Sequence, residues 1–100
     1  MIDTDKFLDI VKNHHFRGEF TDGCGNFCLI GAMAVATDFW DFDKNHIRDN
    51  STNADYVRLH QAVTKSIGED FDGISEFNDD ERVSHKEIIV VAENAVSDIS

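Results

Sequence analysis

Proline is missing from this chain of 100 residues, and only nine lysines and arginines stand against twenty aspartates and glutamates. With no proline-rich spacer, no low-complexity tract and no internal repeat, the expectation is a single domain over residues 1–100. No run reaches about 18 apolar residues, which excludes a membrane-spanning helix. The start "MIDTDKFLDIVKNHH" carries acids where a secretory signal carries bases. The expected setting is therefore the cytoplasm, with no membrane partner. Two cysteines, Cys24 and Cys28, are too few for a disulfide scaffold and make no Cys-x-x-Cys pair of a zinc module. A formal charge of −11 repels phosphates, so direct nucleic acid binding is not expected.

What the chain does contain is 41% hydrophobic residues, enough for one core. Asp3 or Thr4 can cap a first helix running to about Asn13, with Phe7, Leu8 and Val11 on one stripe. The glycine-rich "HHFRGEFTDGCG" then reads as a turn-rich connection with room for a short strand pair. From a cap at Asn26 to about Thr37, "NFCLIGAMAVAT" is apolar on every side, which predicts a buried central helix. "DFWDFDKNHIRDN" reads as a short helix or an ordered loop. Asn53 caps a third helix carrying Tyr56, Leu59, Val63 and Ile67, and Gly68 stops it. Ser84 and Glu87 form a capping box that opens a last helix to about Ser97. The predicted fold is mainly α: a compact bundle of about four helices around the buried second one, with a short strand pair or irregular loops between them.

Two short motifs carry a family likeness. Gly25-x-x-Cys28-x-x-Gly31-Ala32 on the apolar helix, and Ile74-x-x-Phe77-Asn78-Asp79 before the last helix, resemble the small bacterial and phage proteins grouped as domain of unknown function 6197. "HHFRGE" is similar to that family's aromatic-glycine stretch after its first helix. The resemblance extends from Phe7 to Val96, with Phe77 standing where the family usually has tryptophan. It implies an architecture and a phage or bacterial source, the host cytoplasm if phage-encoded, and it carries no activity.

Several groups invite chemistry. Cys28, in the first turn of the second helix, sits where amides and the macrodipole lower a thiol pKa, and a nucleophile there would need His46, His60 or His85 as its base. Packing is the favoured reading, because Cys28 lies with Gly31 and Ala32 on a helix that neighbours approach closely. His14, His15, Cys24 and Cys28 number enough for zinc but match no ligand spacing. Asp41, Asp43 and Asn45 match the first positions of a calcium loop, yet His46 replaces its glycine and Thr52 its glutamate; the loop at Asp70-x-Asp72 fails at Ile74. No metal and no cofactor is expected. Asn78-Asp79 reads as a turn in preference to a catalytic carboxylate.

The acidic run "EDFDGISEFNDDE", residues 69–81, holds seven acids and no base. Such a face can imitate phosphate spacing and occupy a basic groove. The partner-binding set is accordingly Asp70, Asp72, Glu76, Asp79, Asp80 and Glu81, with Trp40 among Asp38, Asp41 and Asp43 as an aromatic anchor. The functional expectation is a non-enzymatic, phage-type protein that binds a basic surface of a host protein or complex and blocks nucleic-acid handling or defence. The alternatives are a small enzyme using Cys28 and a homo-oligomeric structural subunit.

Overall fold

A computed structural model describes residues 2–18, 21–48 and 53–99. Its helices are α1 (Thr4–Asn13), α2 (Leu29–Ala36), α3 (Ala54–Ile67), α4 (Ile74–Asp79) and α5 (His85–Ile99), with a two-stranded sheet of β1 (Trp40–Asp41) and β2 (His46–Ile47) between α2 and α3.

Helix α2 explains the rest. Leu29, Gly31, Ala32, Met33, Ala34 and Ala36 are all buried on it, so it cannot form without neighbours on every side. Those neighbours are α1, α3, α4 and both strands. Its alanines and glycine keep the cylinder thin, while Phe7, Val11, Leu59, Val63 and Phe77 from the neighbouring helices share its core. α3 and α5 pack along each other, and α5 also packs on α1.

Capping chemistry sets the boundaries. Asp3 accepts from the Lys6 amide at 3.0 Å and starts α1, while its own amide donates to the Ala36 carbonyl at 2.9 Å, tying the beginning of α1 to the end of α2. Asn53 starts α3 by accepting from the Tyr56 amide at 2.8 Å, and its Nδ2 donates to the Thr37 carbonyl. Gly68 ends that helix at φ +86°, a conformation side chains rarely adopt. The Ser84 hydroxyl accepts from the Glu87 amide at 3.1 Å at the head of α5.

Four local expectations change. The second helix starts two residues late, with Cys28 and not Asn26 as its cap: Cys28 has extended backbone and its Sγ accepts from the Gly31 amide at 3.4 Å. Asn26 is held instead by Asp22, whose carboxylate accepts from Asn26 Nδ2 at 2.8 Å and closes the 22–26 turn. The strand pair lies in "FWDFDKNHI", where Trp40 pairs with Ile47 and Asp41 with His46. Asp41 closes that hairpin by accepting from the amides of Asp43 and Lys44, and Asn45 takes φ +51°. The glycine-rich connection has only isolated bridges, His15 to Phe27 and Thr21 to Phe27, among the described residues, with Glu19 and Phe20 outside them. Finally, the stretch read as a loop before α5 contains the six-residue helix α4, whose Ile74 and Phe77 reach the core.

Candidate functional site

Residues 69–81 wrap past the end of α3, form α4 and turn into α5. Their carboxylates point away from the core that Ile74, Phe77 and Asn78 enter: Glu69, Asp70, Asp72, Glu76, Asp79 and Glu81 are exposed. Among the described residues, ion pairs in this segment involve Asp80 alone. Arg82 grips Asp80 through two side-chain bonds of 3.0 and 2.7 Å, and the Arg82 amide adds a third at 2.8 Å. Those bonds to Arg82 hold the Asp80 carboxyl down at about 2. Asp80 is therefore a fixed turn element and not a free docking charge. Glu76 accepts from the Asp72 amide at 3.0 Å, which orders the turn into α4 and leaves both carboxylates at the surface.

Trp40 does not belong to this face. At 1% exposure it is a core residue, set edge-on against Phe27 with ring centroids 5.3 Å apart. The strand pair explains the reversal. Alternation along β1 turns Trp40 inward and Asp41 outward, and the chain leaves the strand at Phe42, which is two-thirds exposed in the hairpin turn. Phe71 is half-buried and meets Phe77 edge-to-face at 5.1 Å.

Behind the acids lies a buried polar knot centred on Asn78, 1% exposed. Its Nδ2 donates to the Phe16 carbonyl at 3.2 Å and to Asp79 Oδ1 at 2.9 Å, so its Oδ1 faces the other way. That oxygen accepts from the Leu29 amide at 3.1 Å, satisfying a first-turn donor of α2, and from His15 Nε2 at 2.6 Å. His15 also stacks on His85 at 5.4 Å, and His85 Nε2 donates to the Val11 carbonyl at 2.7 Å. Burial pushes the His15 pKa down, helped by the charges of His85 and Arg17 and opposed by Asn78 and Asp79. Arg17 donates to the carbonyls of Asp80 and Val83, clamping the turn between α4 and α5. The knot thus joins three chain segments far apart in sequence. Asn78-Asp79 is more than a local turn, because Asn78 bonds to residues about 50 and 60 positions away.

Cys28 is 5% exposed, and both cysteines are outside disulfides. Beside it, Tyr56 has its pKa raised first by burial and then by the Cys28 charge. Of the proposed zinc set, His15 is committed to Asn78 and Cys24 is exposed on the glycine turn. Among the described residues no three His, Cys, Asp or Glu side chains converge as metal ligands; Thr52 lies outside them. No helix of the described residues is long and apolar enough to cross a membrane.

The two motifs singled out in the sequence meet here, one supplying the Leu29 amide after Cys28 and the other the Asn78 oxygen. A family model described as a family of unknown function, DUF6197, matches residues 7–98. The chain belongs to the DUF6197 family. No curated protein and no solved structure matches it. In this DUF6197 chain, Phe77 keeps a buried ring, at 4% exposure, directly before the Asn78 knot.

Proposed function

We propose that this protein is a non-enzymatic, phage-type interaction protein that sets the carboxylates of residues 69–81 against a basic surface of a host protein, and by occupying that surface blocks nucleic-acid handling or defence. The observation that supports the reading is the density of exposed carboxylates in one segment. Ion pairs are sparse along the described chain, where Glu93, Asp38 and Asp98 have Lys12, Arg48 and Lys65 within 4.0 Å. In 69–81, six exposed acids stand together, and among the described residues Asp80 alone has a cation partner. Like charges held together repel, and a basic partner relieves that repulsion and is steered toward it.

The reading as a cysteine enzyme has one feature in its favour, the position of Cys28 as the N-cap of α2, and against it the 5% exposure of that residue. Slow alkylation of Cys28 in the folded protein, with Cys24 as the exposed internal standard, supports packing; equal rates favour the enzyme. Capture from host lysate tests the main reading. A basic protein retained at about 0.05 M salt and released by about 0.5 M is expected. It is lost when Asp70, Asp72, Glu76 and Glu81 are replaced by Asn or Gln. Capture of the same proteins by both forms at high salt overturns the proposal.

A further inference from the structure

Between α3, α5 and the loop that follows α3 lies an open groove of about 410 Å³. Its floor is apolar: Ile67 and Phe71 from one side, Phe77 beneath, Val90 from the other. Val90 is 46% exposed, an aliphatic side chain that the core does not cover. The cause is visible in the sequence, since four consecutive β-branched residues, Ile88 to Val91, sit on a helix that buries Ile88 and Val91 and turns Val90 outward. At the rim stand Asp70 and Glu87, with Lys86 the one cation in the lining. The groove continues along the α3–α5 seam, because the neighbouring depression shares Ser66 and Asn94 and ends at the Lys65–Asp98 pair, 3.5 Å apart. From Glu87 to Asp98 the seam runs roughly 16 Å at the helical rise, about three turns of a partner helix.

We propose that this groove receives a basic amphipathic helix of a partner protein, its apolar ridge on Phe71 and Val90 and its lysines or arginines over Asp70 and Glu87. The inference rests on the function proposed above and assigns it a place and a chemistry. Charge selects this occupant. A second copy of the chain would bring another −11, and anionic lipid or nucleic acid would meet the same repulsion. At the Asp98 end the pairing with Lys65 cancels the charge, so the free negative potential lies at the Asp70 end and orients the helix. Apolar floor, acidic margin and length together match the way grooves take amphipathic helices by anchors at positions i, i+3, i+4 and i+7.

The test is nuclear magnetic resonance titration of the isotope-labelled full chain with three synthetic helical peptides of about three turns. They are leucine-lysine, alanine-lysine and leucine-glutamate versions of one amphipathic pattern. The leucine-lysine peptide is expected to shift the amides of Ile67, Phe71, Phe77 and Val90, to bind at least tenfold more tightly than the alanine-lysine peptide, and to leave the leucine-glutamate peptide unbound. Val90→Lys is expected to weaken binding at least tenfold, whereas Val57→Lys, also exposed but outside the groove, leaves it unchanged. Equal binding of both lysine peptides, insensitive to Val90→Lys, overturns the groove and leaves the acidic-face reading standing. No binding of either lysine peptide at low salt overturns both. A concentration-dependent dimer that Val90→Lys abolishes assigns the groove to a second copy and likewise overturns the proposal.

Discussion

Asn78 and Asp79 are adjacent in sequence and have opposite surroundings. The amide is 1% exposed and each of its polar atoms is bonded, to the Leu29 amide, His15 and the Phe16 carbonyl among others. The carboxylate beside it is exposed, with a hydrogen bond from Asn78 and no ion pair among the described residues. The same division holds across residues 69–81, where Ile74, Phe77 and Asn78 build the molecule, Asp80 and Glu76 hold turns, and the exposed carboxylates contribute a field. An inward polar residue is costly to change because its partners cannot turn to water; an outward charge in a like-charged run costs little to remove.

Breaking the inner side gives the largest effect. Asn78→Ala leaves the Leu29 amide and His15 Nε2 without their acceptor, and a loss of roughly 2–4 kcal/mol in denaturant unfolding is expected. A loss below about 1 kcal/mol would show that water replaces the amide without penalty. Cys28→Ala comes next at roughly 1–3 kcal/mol, through a small cavity and a lost cap. Cys28→Ser is expected to cost less than alanine, because a hydroxyl at this extended position is a good acceptor for the Gly31 amide. The reverse order in thermal midpoints would mean that packing outweighs capping.

A smaller effect is a pH dependence. Burial holds the folded-state pKa of His15 below the ordinary histidine value of about 6.5, so the unfolded chain takes up its proton first on acidification. Stability is then full above about pH 7, falls as pH drops through 6.5, and levels off once folded His15 also titrates. His60, lowered by burial, acts in the same direction. Thermal midpoints between about pH 7.5 and 5, with His60→Gln to remove the second contributor, should still fall toward acid. A flat profile in that variant would contradict the placement of His15.

The helical framework was legible because it rests on local signals: Asp3, Asn53 and Gly68 act where the sequence places them, and the all-round apolar α2 is central. The cap at Cys28 was not, since thiols are poor capping candidates and Asn26 is a strong one; the turn made by Asp22 competed for Asn26 and won. Trp40 was misplaced because its acidic neighbours looked like a surface, whereas in the hairpin it faces inward opposite Ile47, with Asp41 turned outward and Phe42 in the exposed turn. The Asn78 knot joins segments far apart in the chain, and no local pattern reports such a partner. The groove left one trace, the surplus valine at position 90 in a run too uniformly apolar for one helix face.

The central claim is that the outer acids act on a partner and not on the fold. Asp70, Asp72, Glu76 and Glu81 changed to Asn or Gln raise the formal charge of −11 by four, and Asp80 is kept because Arg82 holds it. The decisive measurement is the association rate of this variant and of the wild type with the captured partner between about 0.05 and 0.5 M salt, with the thermal midpoint recorded alongside. The account predicts a steep salt dependence for the wild type, a slower and flatter one for the variant, and midpoints that agree or favour the variant. Identical association rates at every salt concentration would contradict it.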